Sequence, residues 1–531
     1  MPRMKSLTLL LSVLALVLAA CGDGPAGGAE EGGDEPVQGG TAVVSKTSDF
    51  DALNQFVSTD YDTGQTLRYM LHMPLVQLDS AMSYVPYLAE TATVSEDGLT
   101  LTFQIRQGLT WHDGTPVTAD DVVWSAETYM NPELAYANAQ YFQFVDRVEK
   151  TDDRTVVFHF SARHSDPLAD FLEWEPMPKH LLEDVPLTEM ANAPFNRNPV
   201  GNGPFRFVSW TANQEVVFEA NPDFLLGRPH LDRVVFRVIP EQTTELTELL
   251  TGNLHLIRGI PPAEAAGAES DVSRLISYPA RSYSFLAWNT ENPLFSDPSV
   301  RRALTLAIDR QQIVEALLYG FGTIAVSDVM PFQWLFARDL QPWPYDRAQA
   351  TELLRQAGWS DTNADGIIDK DGQPFSFTLE TNQGNDLRED IVLIVQSDLR
   401  KVGIDVEPRL SEFNSLIDRL LEEDFEAVVS GWSVDFKFDP TETFGCEDGP
   451  YNYPSYCNEQ ADSLVRQGLT TLDNEQARPI WRQYQQIIHE EQPYTFLYYQ
   501  DERLGVSRQL RGVVGDARGH LVSVKDWWLQ Q

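Results

Sequence analysis

The stretch Phe425-Glu-Ala-Val-Val-Ser-Gly-Trp-Ser-Val-Asp435 places an aromatic side chain and a carboxylate at the end of an apolar run. Two β-branched valines precede Gly431, and Pro440 follows, so we predict a short buried strand that runs into a loop. In α/β sheets the C-terminal ends of strands face the ligand crevice. Trp432 and Asp435 are therefore candidate ligand-binding residues.

This pair of side chains suits an ammonium group. An indole face attracts a cation through its π electrons, and an ionised carboxylate adds a charge-assisted hydrogen bond. The alternative interpretation is a core tryptophan and a loop-capping aspartate, which are common roles for these residue types. Other parts of the chain have to decide between the two.

The first 20 residues have the features of an export signal. Arg3 and Lys5 precede an apolar run from Leu7 to Val17, which is too short to span a bilayer. The tetrad Leu18-Ala-Ala-Cys21 resembles a bacterial lipobox, which implies cleavage before Cys21 and a lipid on its thiol. An ordinary signal with a chance cysteine is the alternative.

Residues 21–40 are rich in glycine and acidic residues, and we predict a flexible tether. No later stretch is long and apolar enough to cross a bilayer, so we expect an anchored protein that does not span the membrane. The 531-residue chain has a net charge of −40, which disfavours nucleic-acid binding.

Two cysteines, Cys446 and Cys457, remain once Cys21 is set aside. An exported protein lies on the oxidising side of the membrane, so we predict a disulfide between them. Gly449 and Pro454 allow the intervening segment to turn back on itself. Two free thiols are the alternative.

Four motifs occur in an order that resembles one protein family. They are Trp111-His-Asp-Gly-Thr-Pro-Val-Thr-Ala-Asp-Asp-Val-Val123, Gly201-Asn-Gly-Pro-Phe205, Trp288-Asn-Thr290 followed by Val300-Arg-Arg-Ala-Leu304 and Ala307-Ile-Asp-Arg310, and Gly431-Trp-x-x-Asp435. Together they resemble the family 5 extracellular solute-binding proteins of ABC transporters, the dipeptide- and oligopeptide-binding group. The resemblance extends from about Thr41 to the C-terminus.

The resemblance implies an α/β fold of the two-lobed periplasmic-binding-protein type (class II, large peptide-binding type) with a central ligand cleft. Lobe I would contain residues 41–287 and 505–531, and lobe II residues 288–504. Phe285–Asn289 and Tyr494–Arg503 are the candidate hinge strands, although either segment could be an ordinary core strand. Two lobes that close on a ligand move about such hinges.

The resemblance also implies a function. We expect a monomeric, lipid-anchored protein in the periplasm or on the outer face of the cytoplasmic membrane. It would capture a short peptide and deliver it to ABC permease subunits that work with a cytoplasmic ATPase. Asp435 would receive the α-ammonium beside Trp432. An oligosaccharide, a nickel complex or an opine is the alternative ligand, and the sequence identifies no residue for a peptide carboxylate.

The sequence contains no Gly-x-Ser-x-Gly, His-Glu-x-x-His or Cys-x-x-Cys motif. Trp111, His112 and Asp113 have no accompanying nucleophile, so we expect packing and turn roles for them. We therefore predict a protein that is not an enzyme and requires no cofactor, with an exported hydrolase as the remote alternative.

The segment Asp361-Thr-Asn-Ala-Asp-Gly-Ile-Ile-Asp-Lys-Asp-Gly372 follows the pattern of a calcium loop. Oxygen ligands stand at positions 1, 3, 5 and 9, and a glycine stands at position 6. The glutamate at position 12 is missing, so Ca²⁺ binding would be weak or absent. The candidate ligands are Asp361, Asn363, Asp365, Ile367 through its carbonyl, Asp369 and Asp371. A metal-free Asx-turn loop is the alternative.

Overall fold

The computed structural model describes residues 35–447 and 449–530. The predicted signal peptide, the predicted lipidation site Cys21 and residues 22–34 of the predicted tether lie outside the described residues. Residues 35–40 have no regular secondary structure. From Val37 onward the chain forms one unit that contains the described helices and strands. In this part of the chain, no helix has both the length and the apolar character that a membrane crossing requires.

The strands follow one another along the whole described chain. They are β1 Thr41–Lys46, β2 Val76–Leu78, β3 Tyr84–Pro86, β4 Ala89–Val94, β5 Thr100–Ile105, β6 Val145–Asp152, β7 Thr155–Phe160, β8 Phe205–Thr211, β9 Glu215–Ala220, β10 Arg233–Val238, β11 Leu256–Arg258, β12 Ser273–Trp288, β13 Gly322–Ile324, β14 Asp369–Lys370, β15 Gln373–Pro374, β16 Ser376–Asn382, β17 Asp405–Ser411, β18 Ala427–Ser433, β19 Tyr494–Ser507, β20 Leu510–Arg511 and β21 Trp528–Leu529.

The helices are interspersed with these strands. They are α1 Tyr61–Thr66, α2 Ala119–Met130, α3 Lys179–Leu182, α4 Gln242–Leu250, α5 Pro298–Ala307, α6 Arg310–Leu317, α7 Arg347–Gln356, α8 Asp386–Arg400, α9 Phe413–Leu421, α10 Thr441–Phe444, α11 Glu459–Thr470 and α12 Asn474–Glu491. Local chemistry explains several of their starts. Thr118 and Asp121 form the capping box of α2, and the Asp309 side chain caps α6.

A large mixed sheet runs through the described part of the chain. Its strand order is β17-β16-β18-β12-β19-β11-β1-β10-β9-β8, with β13 paired to β19. At one end β16 lies parallel to β17 and β18, and at the other end β1 lies parallel to β10 and β11. A separate four-stranded sheet has the order β4-β5-β7-β6.

The long antiparallel pair β12 and β19 occupies the centre of the large sheet. Their register runs from Ser273 opposite Ser507 to Ala287 opposite Tyr494, with an irregularity between Pro279 and Tyr283. The predicted hinge segments lie in these two strands, except for Asn289, which follows β12 directly. Their role as hinges stays a prediction.

The buried apolar clusters fall into two sets. One set draws on residues 42–278 and 504–527, and the other on residues 283–499. We call the first set, with the elements around it, lobe I and the second lobe II. The pair β12 and β19 contributes to both sets, so it connects two separately packed bodies. The predicted boundaries at residues 287/288 and 504/505 stay a prediction.

Candidate functional site

The site lies where β18 leaves the large sheet. The first three residues of β18, Ala427 to Val429, are completely buried, because Ala427 and Val429 pack into one core cluster and Val428 packs into another. The strand ends at Ser433, and Asp435 follows in the loop. The predicted buried strand that runs into a loop is confirmed. The parallel neighbour β16 ends at Asn382, so both strands direct their C-terminal ends toward the same edge of the sheet.

The Asp435 side chain is exposed to solvent. The hydroxyl oxygen of Tyr141 lies 3.3 Å from its Oδ1. No backbone N–H in the described residues donates to this carboxylate, so the contacts do not fit the alternative of a loop-capping aspartate. The backbone is held from the other side, because Gln333 Nε2 donates to the carbonyl oxygens of Asp435 and Phe436 at 3.4 Å each.

Glu173 of lobe I is the centre of a charged network next to Asp435. Its Oε1 accepts from Arg281 Nη1 at 2.9 Å and from Arg68 Nη1 at 3.2 Å, and its Oε2 accepts from the Tyr141 hydroxyl at 2.8 Å. Burial alone would raise the pKa of Glu173, but the two guanidinium groups lower it to about 2. Glu173 is therefore ionised and well satisfied.

The same network affects Asp435. The surrounding protein atoms raise the pKa of the Asp435 carboxyl, and the negative charge of Glu173 adds to the increase. Arg281 and the Tyr141 hydroxyl oppose it. A tyrosine hydroxyl has one proton to donate. The Tyr141 hydroxyl oxygen lies closer to Glu173 than to Asp435, so its proton is donated to Glu173. Asp435 therefore keeps acceptor capacity that the described residues do not fill.

The residues after Asp435 contact lobe I. Lys437 Nζ donates to Asp170 Oδ1 at 2.7 Å, and His164 Nε2 lies 2.9 Å from the other oxygen of the same carboxylate. Phe436 packs against the lobe I core, and the guanidinium of Arg281 lies 4.5 Å from its ring centre. The segment from Asp435 to Phe438 thus bridges the two lobes.

Trp432 lies among aromatic rings. The ring of Tyr453 lies at a centroid distance of 5.1 Å and that of Phe285 at 6.1 Å, both roughly parallel to the indole. Tyr451 meets the indole nearly perpendicularly at 5.7 Å, and Trp432 Nε1 donates to the Tyr494 hydroxyl at 3.3 Å. No lysine or arginine of the described residues lies over the indole. These contacts give Trp432 a packing role beside its predicted ligand-binding role.

Comparisons with known proteins place this geometry in a family. The model for "Bacterial extracellular solute-binding proteins, family 5 Middle" matches residues 83–446. The oligopeptide-binding protein AppA of Bacillus subtilis (strain 168) is 34% identical over 543 residues, which cover 100% of both chains. The chain belongs to the family 5 bacterial extracellular solute-binding proteins.

Two further comparisons bear on this family 5 chain. The structure of B. subtilis AppA in complex with a nonapeptide aligns with a TM-score of 0.73 at 34% identity, over 94% of this chain and 100% of that chain. The heme-binding protein A of Haemophilus influenzae is 27% identical over 461 residues, or 82% of each chain. The predicted family and its two-lobed fold are confirmed. The relatives are named as binding proteins, which is consistent with the prediction of a protein that is not an enzyme.

The Trp111 motif of this family 5 protein has a structural role. His112 accepts a hydrogen bond from the Gly201 backbone N–H at 3.2 Å, and its other ring nitrogen lies 3.0 Å from the Gly203 carbonyl oxygen. Burial lowers the pKa of His112 to about 4, so the ring is neutral at pH 7. A Cβ on Gly201 would lie 1.9 Å from the Leu71 carbonyl oxygen, which explains the glycine.

The predicted disulfide between Cys446 and Cys457 is confirmed, with a Cα–Cα distance of 4.6 Å.

In the calcium-like segment, Asp361 accepts from the backbone N–H groups of Ala364 and Gly366, and Asp365 accepts from that of Ile367. The described residues contain no group of three or more His, Cys, Asp or Glu side chains arranged to hold a metal ion. Calcium binding stays a prediction for the six candidate ligands.

Sequence reasoning missed the residues that surround Asp435. Tyr141, Glu173 and Arg281 come from distant segments that no local pattern connects. It also missed Arg388, whose Nη1 donates to Asn382 Oδ1 at 2.8 Å and whose Nη2 would lie 3.4 Å from a Cβ at position 431. Burial lowers the pKa of Arg388, and no carboxylate of the described residues forms an ion pair with it. The sequence signal that could have identified Arg388 is its position in the first turn of the helix that follows β16.

Proposed function

We propose that this protein is the ligand-binding component of an ABC importer and that it captures short peptides with a free N-terminus. The observation that carries the proposal is the exposed Asp435 carboxylate, whose hydrogen-bonding capacity is only partly used by a shared tyrosine hydroxyl. Further support comes from the relative named as an oligopeptide-binding protein and from its structure with a nonapeptide.

Electrostatics favours a cation at this place. Burial raises the pKa of Asp435, the negative charge of Glu173 adds to the increase, and Arg281 and Arg68 reduce it. An ammonium group beside Asp435 adds a charge-assisted hydrogen bond and offsets the repulsion between the two carboxylates. Asp435 belongs to lobe II and Glu173 to lobe I, so the same ammonium stabilises the arrangement in which the lobes are close. Ligand capture is thereby coupled to rotation of the lobes about β12 and β19.

Arg388 is our candidate for the peptide carboxylate. It lies half-buried in the first turn of α8, and its side chain contacts Asn382 at the end of β16 and lies next to Gly431 of β18. A guanidinium group binds a carboxylate through two parallel hydrogen bonds, and the partial burial of Arg388 strengthens such a contact. Asn382 Oδ1 accepts from Nη1 of this side chain, and no other group of the described residues accepts from the remaining guanidinium N–H groups, which can therefore bind a ligand.

The delivery route completes the proposal. After cleavage before Cys21, a lipid on that thiol holds a monomeric protein on the outer side of the membrane. The tether of residues 21–40 lets the protein reach the permease subunits, which use the energy of a cytoplasmic ATPase. Replacing Cys21 with serine is expected to release the protein from membranes, and membrane-bound Cys21→Ser protein would contradict the anchor.

The binding proposal is tested by calorimetry with a library of short peptides on wild type, Asp435→Asn and Asp418→Asn. Asp418 is an exposed aspartate on α9 and serves as the matched control. We expect Asp435→Asn to lose about 2–5 kcal/mol of binding free energy, because a partly desolvated ammonium loses its counter-charge. Asp418→Asn should bind like wild type. If wild type binds no peptide, the oligosaccharide, nickel-complex and opine alternatives take precedence.

A further inference from the structure

Residues 449–457 are fixed in several ways besides the disulfide between Cys446 and Cys457. Asn452 lies in this segment, and its Nδ2 donates to the carbonyl oxygens of Gly445 and Tyr456 at 3.1 and 2.9 Å. Its Oδ1 accepts from the Tyr456 backbone N–H at 3.1 Å. The Thr290 N–H, which lies two residues after the end of β12, donates to the Pro454 carbonyl oxygen at 2.8 Å. The segment is therefore tied both to itself and to the strand pair that connects the lobes.

Two tyrosines of this segment contact the indole of Trp432, and they differ in burial. Tyr453 is 5% exposed and lies roughly parallel to the indole, whereas Tyr451 is 44% exposed and meets it at 76°. The series of parallel rings continues from Trp432 to Phe285, which stacks on Tyr494 at 3.9 Å. Tyr453 thus belongs to the core. Tyr451 presents an aromatic surface to solvent beside Trp432, which precedes Asp435 by three positions.

We propose that Tyr451 and the adjoining edge of Trp432 form a subsite for the first side chain of the bound peptide and that this subsite favours apolar or aromatic residues. The inference rests on the proposed function. In a peptide, the first side chain branches from the carbon that carries the α-ammonium, and Trp432 precedes Asp435 by three positions in the same segment, so we place that side chain on the Trp432 side of the ammonium. Two rings at a steep angle form an apolar corner, and an aromatic side chain placed there buries apolar area and makes edge-to-face contacts.

The disulfide preorganises this corner. An exposed tyrosine on an unconstrained loop would lose conformational freedom when a ligand bound against it, and that loss would weaken binding. The closure between Cys446 and Cys457, which are separated by 11 positions, and the hydrogen bonds of Asn452 remove much of this freedom in advance. The exported location keeps the disulfide oxidised. Reduction of this bond is expected to weaken the side-chain preference before it affects recognition of the ammonium.

Two peptides that differ only in the first residue, phenylalanine or serine, provide the test by calorimetry. We expect wild type to bind the phenylalanine peptide about tenfold more tightly. Tyr451→Ala should bind both peptides with the affinity that wild type has for the serine peptide. Tyr451→Phe should retain the preference, because the ring and not the hydroxyl makes the contact. Tyr319→Ala, which removes an exposed tyrosine elsewhere in lobe II, is the control and should behave like wild type.

The double variant Cys446→Ser/Cys457→Ser should show a reduced preference while its circular dichroism spectrum remains that of a folded protein. If that variant does not fold, the affinities of Tyr451→Ala for the two peptides alone test the subsite. Equal affinity of wild type for both peptides, or an undiminished preference in Tyr451→Ala, would overturn the subsite and leave peptide binding intact. If wild type binds neither peptide, both the subsite and the proposed function are wrong. Loss of both peptides in Asp435→Asn distinguishes ammonium recognition from side-chain recognition.

Discussion

Two acidic segments of lobe II differ in what their carboxylates contact. In residues 361–372, the carboxylates of Asp361 and Asp365 accept hydrogen bonds from backbone N–H groups of the same segment. In residues 432–438, the only group of the described chain that contacts the Asp435 carboxylate is the Tyr141 hydroxyl of lobe I, which Glu173 shares. A carboxylate that completes its own turn has little left for a ligand, whereas a carboxylate that faces another lobe can accept one. The number of acidic residues therefore says less about a site than the unused acceptor capacity does.

The largest effect is expected from Arg281→Met, which removes one of the two cations that hold Glu173 near Asp435. Glu173 then keeps Arg68 but loses its shorter ion pair, which leaves this largely buried carboxylate with less counter-charge, so we expect a loss of about 3 kcal/mol in the free energy of unfolding, measured with urea. The matched control is Arg355→Met, because the exposed pair of Arg355 and Glu352 on α7 should contribute almost nothing. Equal stability of the two variants would show that the network around Glu173 is not a structural requirement.

The second effect concerns the ammonium itself. Acetylating the N-terminus of a bound peptide should cost wild type about as much affinity as Asp435→Asn costs with the free peptide. The two changes together should cost about 2 kcal/mol less than the sum of the separate losses, because each removes one end of the same pair. Calorimetry on the four combinations gives this coupling energy. Additive losses would mean that the ammonium binds elsewhere.

The parts of this site that local chemistry defines were predictable from the sequence. The β-branched run before Gly431 predicted the buried strand, and an exported pair of cysteines predicted the disulfide. The residues that give Asp435 its environment were not predictable in this way. Tyr141 lies 294 positions from Asp435 along the chain, and only the packing of the two lobes brings it close. The family resemblance supplied the role of Asp435, but not the identity of its neighbours.

Asp328 is a buried acid of lobe II that has no cationic partner among the described residues, and we expect it to make stability depend on pH. Asp328 is 4% exposed, its Oδ2 accepts from the Tyr484 hydroxyl at 2.8 Å, and its Oδ1 has no hydrogen-bond partner in the described chain. Burial raises the pKa of Asp328 to about 7 in the folded protein. The unfolded chain releases this proton near pH 4, so the folded state binds more protons between pH 4 and 7, and its stability falls as the pH rises through this range.

Replacing Asp328 with asparagine removes this titration while keeping the shape of the side chain. The stability of wild type relative to Asp328→Asn should therefore fall by on the order of 2 kcal/mol between pH 4.5 and pH 7.5. Urea unfolding at both pH values measures the difference. The exposed Asp418→Asn variant should show no such trend. A constant difference between wild type and Asp328→Asn would mean that Asp328 titrates normally.

The smallest effect is expected from calcium and returns to residues 361–372. The segment has no glutamate at the twelfth position of the calcium pattern, and its carboxylates already accept hydrogen bonds from their own backbone. Both features weaken binding toward the millimolar range of extracellular calcium modules. At 1 mM Ca²⁺, a dissociation constant of about 1 mM gives a stabilisation of only about 0.4 kcal/mol. Calcium titrated into chelator-treated protein should therefore raise the melting temperature by about 1 °C or less.

Asp361→Asn should abolish this increase in melting temperature, while Asp435→Asn should retain it. An increase of several degrees that depends on Asp361 would show that the segment rearranges around the ion and that its internal hydrogen bonds are exchanged for metal contacts.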